Sequence, residues 1–255
     1  MSALKGVSEK SSLFNLYLFR IHFGNKKLIF VFPSFLFVRI ILLGSLDCKG
    51  FMKDHQLQIL IATKNDGKVK ELEDLLIDLP FKLRSLNEFP KAIEPEETGE
   101  TFAENAILKA KSYALQTGLF ALADDSGLEV EALGFAPGVL SARYAGEKAN
   151  DSEKIAKLLR ELNKTKDENR RARFVCAMAI SDEKGEIKFL TEGICDGRIA
   201  STPSGANGFG YDPIFIPVGY AKTFGELSSE IKQEISHRAK AIKKIIHFLR
   251  GFTAL

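Results

Sequence analysis

Apolar strand-length runs, polar turns and amphipathic helices alternate along this chain, and that alternation predicts an α/β protein. Three observations carry the reading. Leu57 to Ala62 is an apolar run, followed by the polar turn Thr63-Lys64-Asn65-Asp66-Gly67-Lys68 and by Val69, Leu72, Leu75, Leu76 and Leu79 at helical spacing up to Pro80. A second apolar run, Leu119 to Ala123, stops abruptly at two carboxylates, Asp124 and Asp125, followed by Ser126 and Gly127. Phe174 to Ile180 and Ile187 to Cys195 read as paired strands across the turn Asp182-Glu183-Lys184-Gly185. With 255 residues, of which 45% are hydrophobic and 27% charged, the chain is long enough to bury one large core or two small ones.

The segment before Met52 has a different character. It holds eight of the 20 phenylalanines, and its Leu28 to Gly44 run is strongly apolar. A membrane-spanning helix needs roughly 20 apolar residues, and this run is shorter and broken by Pro33 and Arg39. A signal peptide would need a small-residue cleavage site, for which Gly44-Ser45-Leu46 is a weak match. Phe, Leu, Ile and Lys also dominate when AT-rich upstream DNA is translated. Residues 1–51 are therefore expected to be an extension that is non-native or disordered, with the working domain over residues 52–255.

Charge and cysteine usage narrow the function classes. A net charge of +3 from 36 basic and 33 acidic residues calls for neither a nucleic-acid nor a membrane partner, yet suits a small phosphate-bearing ligand. Cys48, Cys176 and Cys195 are odd in number and widely spaced, which argues against a disulfide framework or zinc site and for a reducing, cytoplasmic compartment.

Each element then offers chemistry beside a plainer reading. The turn Thr63 to Lys68 opens a helix, where free backbone N–H groups and the positive helix end suit phosphate and Lys68 adds a charge. Many α/β proteins begin this way, and Ala62 and Val69 rule out a Walker A loop. Glu94 to Glu104 is an acidic loop running into a helix that Thr101 and Glu104 start as a capping box and Gly118 ends. Glu96 and Glu97 lie before that cap and are not explained by the helix dipole, while Asn105 and Lys109 share one helix face. Asp124 and Asp125 suit a hard cation such as Mg²⁺, but Asp-Asp-Ser-Gly is equally ordinary turn composition, and both readings stay open on these residues alone.

Leu128 to Leu133 reads as a further half-buried strand, Gly134 to Gly146 as a loop, Asp151 to Leu162 as a surface helix and Lys164 to Arg173 as a solvated connector. In Pro203 to Pro213 the glycines allow close backbone approach, Phe209 and Tyr211 offer exposed aromatic faces for a base, and Asp212 offers acceptors for its edge. Ser236 is expected to cap a C-terminal helix within Glu230 to Arg250. That puts His237 and Arg238 in its first turn, where positive groups oppose the dipole and an acceptor-rich ligand would justify them.

Five ordered blocks then resemble the inosine triphosphate pyrophosphatase family: Thr63 to Lys68; Glu97 to Phe102 with Glu104 to Lys109; Ala123 to Leu128; Gly208 to Pro213; and Ser236 to Arg238. Lys64 departs from the small residue usual in the family. The resemblance implies an elongated mixed β-sheet with flanking helices, two lobes around a nucleotide cleft, and a homodimer. It also implies Mg²⁺-dependent hydrolysis of non-canonical purine nucleoside triphosphates, those of inosine and xanthosine in ribo and deoxy forms, to the monophosphate and pyrophosphate. Under it Glu97 and Asp125 hold the metal with Asp124 nearby, Asp125 is the base, Thr63, Lys64, Asn65, Asp66, Gly67, Lys68, Lys109 and Lys232 surround the phosphates, and Phe209, Gly210, Tyr211, Asp212, His237 and Arg238 read the base, with Ser126 close by. A pyrophosphatase for other modified nucleotides and a non-catalytic nucleotide sensor are the alternatives. The intact acids Glu97, Asp124 and Asp125 favour an enzyme over a sensor.

Overall fold

The computed structural model describes residues 16–23, 26–33, 57–77, 81–165 and 169–253, the first two stretches as backbone only. The chain divides into two units, Met1–Lys53 and Asp54–Leu255. In the first, β1 (Leu16–Phe23) and β2 (Lys26–Pro33) form an antiparallel pair with Leu16 opposite Pro33. The expectation of a non-native or disordered extension falls mostly on residues outside those described, as does Cys48. Among the described residues, no helix is long and apolar enough to cross a membrane.

The second unit is built on a mixed six-stranded sheet. Its strands are β3 (Gln58–Ile61), β4 (Lys82–Ser85), β5 (Phe120–Val130), β6 (Arg171–Ser181), β7 (Ile187–Ile199) and β8 (Phe215–Pro217), in the order β4-β3-β5-β6-β7-β8. β3 runs parallel to β4 and β5, and the remaining pairs are antiparallel. The parallel strand β3 is covered on both faces, which is why Ile59, Leu60 and Ile61 are continuously apolar.

Helices close the two faces. On one lie α1 (Asp66–Leu76) and α5 (His237–Thr253), whose Leu72, Leu76, Ile242, Ile245 and Leu249 pack with Leu122, Cys176, Met178 and Ile180. On the other lies α2 (Phe102–Thr117), whose Ala106, Ala110 and Tyr113 pack with Ala121, Ala123, Val175 and Ala177. A third core joins α3 (Asp151–Leu162) to the far ends of β5 and β6 through Ile155, Leu158, Leu128 and Phe174, and includes Tyr211 and Phe215. A short α4 (Ser229–Ile235) precedes α5, so the C-terminal helical region is two helices divided at Ser236.

Local signals set several boundaries. The Thr101–Glu104 capping box forms, Gly118 ends α2 with φ of 67°, and Asp151 to Leu162 is helical as expected. The main correction concerns the Asp-Asp-Ser-Gly stretch. It is not a strand end or a turn, because β5 continues through it and pairs with β6 from Ala121↔Ser181 to Val130↔Ala172. The expected strand over residues 128–133 is the end of this same β5, followed by a single turn of 3₁₀ helix at Glu131–Leu133. β6 likewise begins at Arg171, inside the expected connector, and β7 runs on to Ile199.

Candidate active site

Because successive strand residues face opposite sides, the continuous β5 sends its two aspartates to different faces. Asp125 follows Ala121 and Ala123 toward α2, and Asp124 follows Leu122 toward α1 and α5. One pair of adjacent acids therefore has two separate environments.

On the α2 side, Lys109 Nζ donates to Asp125 Oδ1 at 2.8 Å and to Glu97 Oε1 at 3.0 Å. Arg143 Nη1 donates to Glu97 Oε2 at 3.3 Å. Asp125 Oδ2 is buried with no partner. Burial raises the Asp125 carboxyl, and Lys109 and Lys68 offset this only in part. Burial works the same way on Glu97, but there Lys109, Lys68 and Arg143 prevail and its carboxyl falls. Burial would lower Lys109, yet Asp125 and Glu97 hold it above the usual lysine value. The chain path to Glu97 depends on Asn105, a fully buried side chain of α2 whose Oδ1 accepts from Gly99 N at 2.8 Å.

On the α5 side, Asp124 is 1% exposed and fully engaged. It accepts from Lys68 Nζ at 2.5 Å, Arg238 Nε at 3.0 Å, Ser126 Oγ at 3.0 Å and Cys176 Sγ at 2.8 Å. Burial alone would raise this carboxyl, but Arg238 and Lys68 hold it well below the usual range. In this structure Asp124 is thus the counter-ion of Arg238 and Lys68, on the face of β5 opposite Asp125. Arg238, also 1% exposed, further donates to Ser126 Oγ at 2.9 Å and to Glu71.

The same ion network reaches the glycine-rich loop. Lys232 pairs with Glu71 at 2.7 Å and with Asp212, and its ammonium lies 4.8 Å from the Phe209 ring centre. Lys232 therefore stands beside the aromatic residues Phe209 and Phe224. Asp212 is also buried and accepts from Phe209 N at 2.8 Å, so its acceptors hold the loop and Lys232. Phe209 packs on the first turn of α1, where a Cβ on Gly67 would lie 2.7 Å from the ring, so that approach requires glycine. Tyr211, expected as an exposed face, is 4% exposed; its ring belongs to the α3 core and its hydroxyl donates to Ser141 O at 3.0 Å. His237 stacks on Phe174 with ring centres 4.7 Å apart, and its Nδ1 is buried without a partner. Burial, followed by Arg238 and Lys232, pushes its pKa well down and keeps the imidazole neutral.

One cleft of about 480 Å³ gathers every expected site residue except Asp124 into its lining. Along the same cleft α1 begins with Asn65 as cap, whose Oδ1 accepts from Lys68 N at 3.0 Å, and Thr63 Oγ1 accepts from Asn65 N at 3.2 Å. Lys64 turns outward to an exposed pair with Glu94 at 3.3 Å. Glu71, Cys176, Arg143, Asp151 and Lys154 were not singled out for the site from sequence. Glu71 lies one turn after Gly67 on the face that carries Lys68, a spacing that marked it; Cys176 carried no signal beyond an apolar run.

The donor set suits Mg²⁺. Two carboxylates, Glu97 and Asp125, already share one cation, and one of them keeps an unbonded buried oxygen. Among the described residues no group of three or more His, Cys, Asp or Glu converges as a metal cage.

Fold and site together define an α/β protein with a charged, anion-suited cleft at the middle of a mixed sheet. Comparison with known proteins makes the assignment particular: the chain matches the Ham1 family over residues 59–248, and it belongs to that family. It is 51% identical over 188 residues to the dITP/XTP pyrophosphatase of Geobacillus kaustophilus, covering 74% of this chain and 92% of that protein. It is 48% identical over 193 residues to the dITP/XTP pyrophosphatase of Bacillus cereus, covering 75% and 94%. A Ham1 protein from Coxiella burnetii has the same fold, with a TM-score of 0.72, 44% identity, and coverage of 77% of this chain and 100% of that one.

Proposed function

We propose that this protein is a hydrolase of non-canonical purine nucleoside triphosphates, acting on those of inosine and xanthosine, ribo and deoxy, with Mg²⁺, and releasing the monophosphate and pyrophosphate. The names borne by its relatives support the substrate class. The observation that carries the chemistry is Asp125: a buried carboxylate with one oxygen fixed by Lys109, the other unbonded, and a raised pKa.

In this reading Asp125 Oδ2 accepts the proton of the water that attacks the triphosphate, a role that a raised carboxyl performs better than an ordinary one. Lys109 holds Asp125 Oδ1, so the free oxygen keeps one orientation. Lys68 and Lys109 offset the charge that builds on the phosphate oxygens, and the backbone N–H groups opening α1 add to this. Glu97 and Asp125 would hold Mg²⁺, which when bound supplies charge neutralisation at the phosphates.

Base choice is assigned to the groups around Phe209 and Arg238. Phe209 offers a ring face, and the guanidinium of Arg238, whose five N–H donors are only partly used by Asp124, Glu71 and Ser126, offers donors to a 6-oxo group. Adenine carries an amino group there and would leave such a donor buried and unpaired, at a cost of about 1–3 kcal/mol per group. The test is pyrophosphate release from inosine, xanthosine, adenosine and guanosine triphosphates with Mg²⁺. Preference for the first two is expected, and equal or greater turnover of adenosine triphosphate would overturn the base assignment.

A further inference from the structure

We infer that Asp151, at the start of α3, is a positioning residue for base recognition, acting through the backbone of the glycine-rich loop. The inference rests on the nucleotide reading above. Asp151 Oδ2 accepts from Gly210 N at 2.6 Å across 59 residues of sequence, and Asp151 Oδ1 pairs with Lys154 at 2.6 Å. Both side chains border the cleft.

The helix itself does not require this carboxylate. Asn150 already caps α3 by accepting from Glu153 N at 3.0 Å, and Glu153 returns a bond to Asn150 N at 2.8 Å. Asp151 is therefore available to the loop. Gly210 has φ of 61°, in the left-handed region that favours glycine, and its N–H is the one that donates to Asp151. Asp151 captures that N–H and so fixes the peptide joining Phe209 to Gly210.

The neighbouring loop residues are held by other means. Phe209 N donates to Asp212 at 2.8 Å, and Tyr211 is anchored by its hydroxyl on Ser141 O and by its place in the core that contains Ile155 and Leu158 of α3. Asp151 is the one side-chain acceptor recorded for the loop N–H between these two anchors among the described residues. Removing it frees the peptide that aims the Phe209 ring and leaves the phosphate-side groups Lys68, Lys109 and Asp125 untouched. Lys154 holds the second carboxylate oxygen and limits its rotation. Burial raises the Asp151 carboxyl, but the bonds from Lys154 and Gly210 prevail and keep it low, so it stays an ionised acceptor.

The test compares calorimetric binding of inosine monophosphate and of inorganic tripolyphosphate, with Mg²⁺, to wild type, Asp151→Ala and Asp151→Asn. Loss of a charge-assisted hydrogen bond predicts that Asp151→Ala weakens inosine monophosphate about tenfold and changes tripolyphosphate by less than about twofold. Asp151→Asn keeps an amide oxygen for Gly210 N and should recover most of the loss. Equal weakening of both ligands would make the residue merely structural, and unchanged inosine monophosphate binding, or an Asn variant as weak as the Ala variant, would overturn the positioning role. A wild type that binds tripolyphosphate but not inosine monophosphate would overturn the nucleotide reading itself and this inference with it.

Discussion

Replacing Asp124 with Asn separates a structural ion pair from a metal ligand. Asp124 and Arg238 are each 1% exposed, and the carboxylate faces both the guanidinium and Lys68. Asn keeps one acceptor oxygen but removes the charge, leaving Arg238 only Glu71 as ionic partner. Breaking a buried pair from one side costs about 3–5 kcal/mol, against a total stability of about 5–15 kcal/mol. For a domain of this size each kcal/mol moves the melting temperature by about 2–4 °C, so a fall of roughly 6–20 °C is expected, nearer the lower end because Asn is isosteric. Thermal unfolding by circular dichroism near neutral pH measures it. An Asp124→Asn protein that melts with the wild type while losing Mg²⁺-dependent turnover would refute the counter-ion role.

Three other outcomes follow from the same geometry. Arg238→Lys keeps a charge for Asp124 but loses the guanidinium fork, so it should weaken inosine triphosphate binding about tenfold and tripolyphosphate much less; an equal loss in calorimetry would move Arg238 to the phosphates. The folded-state pKa of His237 lies well below its ordinary 6.5, so its neutral form contributes stability that is present above pH 6.5 and lost as pH falls below it. The loss approaches about 1.4 kcal/mol per pH unit. Urea titrations across that range should show a smaller slope for His237→Gln, and identical slopes would contradict the assignment. Chelation with EDTA should abolish hydrolysis and added Mg²⁺ restore it, whereas persistent activity would reject the metal role.

What was legible in the sequence follows how local each cause is. The capping box at Thr101, the glycine stop at Gly118 and the α3 boundaries depend on residues within a few positions of one another. The continuity of β5 does not: Asp-Asp-Ser-Gly has turn composition, and only pairing with β6, about 50 residues away, keeps it extended. That one misreading hid the division of labour, since adjacent acids in a strand must face apart while adjacent acids in a turn need not. Asp124–Arg238 is separated by 114 positions and Arg238–Glu71 by 167, so neither partner could be named in advance. Tyr211 was misread for a related reason. A tyrosine in a glycine-rich loop looks exposed until the third core, assembled from α3, β6 and β8, closes around it.

The central claim is that Asp125, and not its neighbour, is the group that takes the proton from water. Asp125→Asn should melt close to the wild type, because burial already disfavours its charged form, Lys109 keeps Glu97 as an ionic partner and the second oxygen has no partner to lose. Its turnover of inosine triphosphate with Mg²⁺ should nevertheless fall by about 10²–10⁴-fold, the usual contribution of a positioned base. The decisive measurement is therefore the rate of pyrophosphate release by Asp125→Asn at saturating inosine triphosphate: a fall of that size alongside a wild-type melting curve is the result predicted, and turnover within about twofold of wild type, far short of that contribution, would contradict the account.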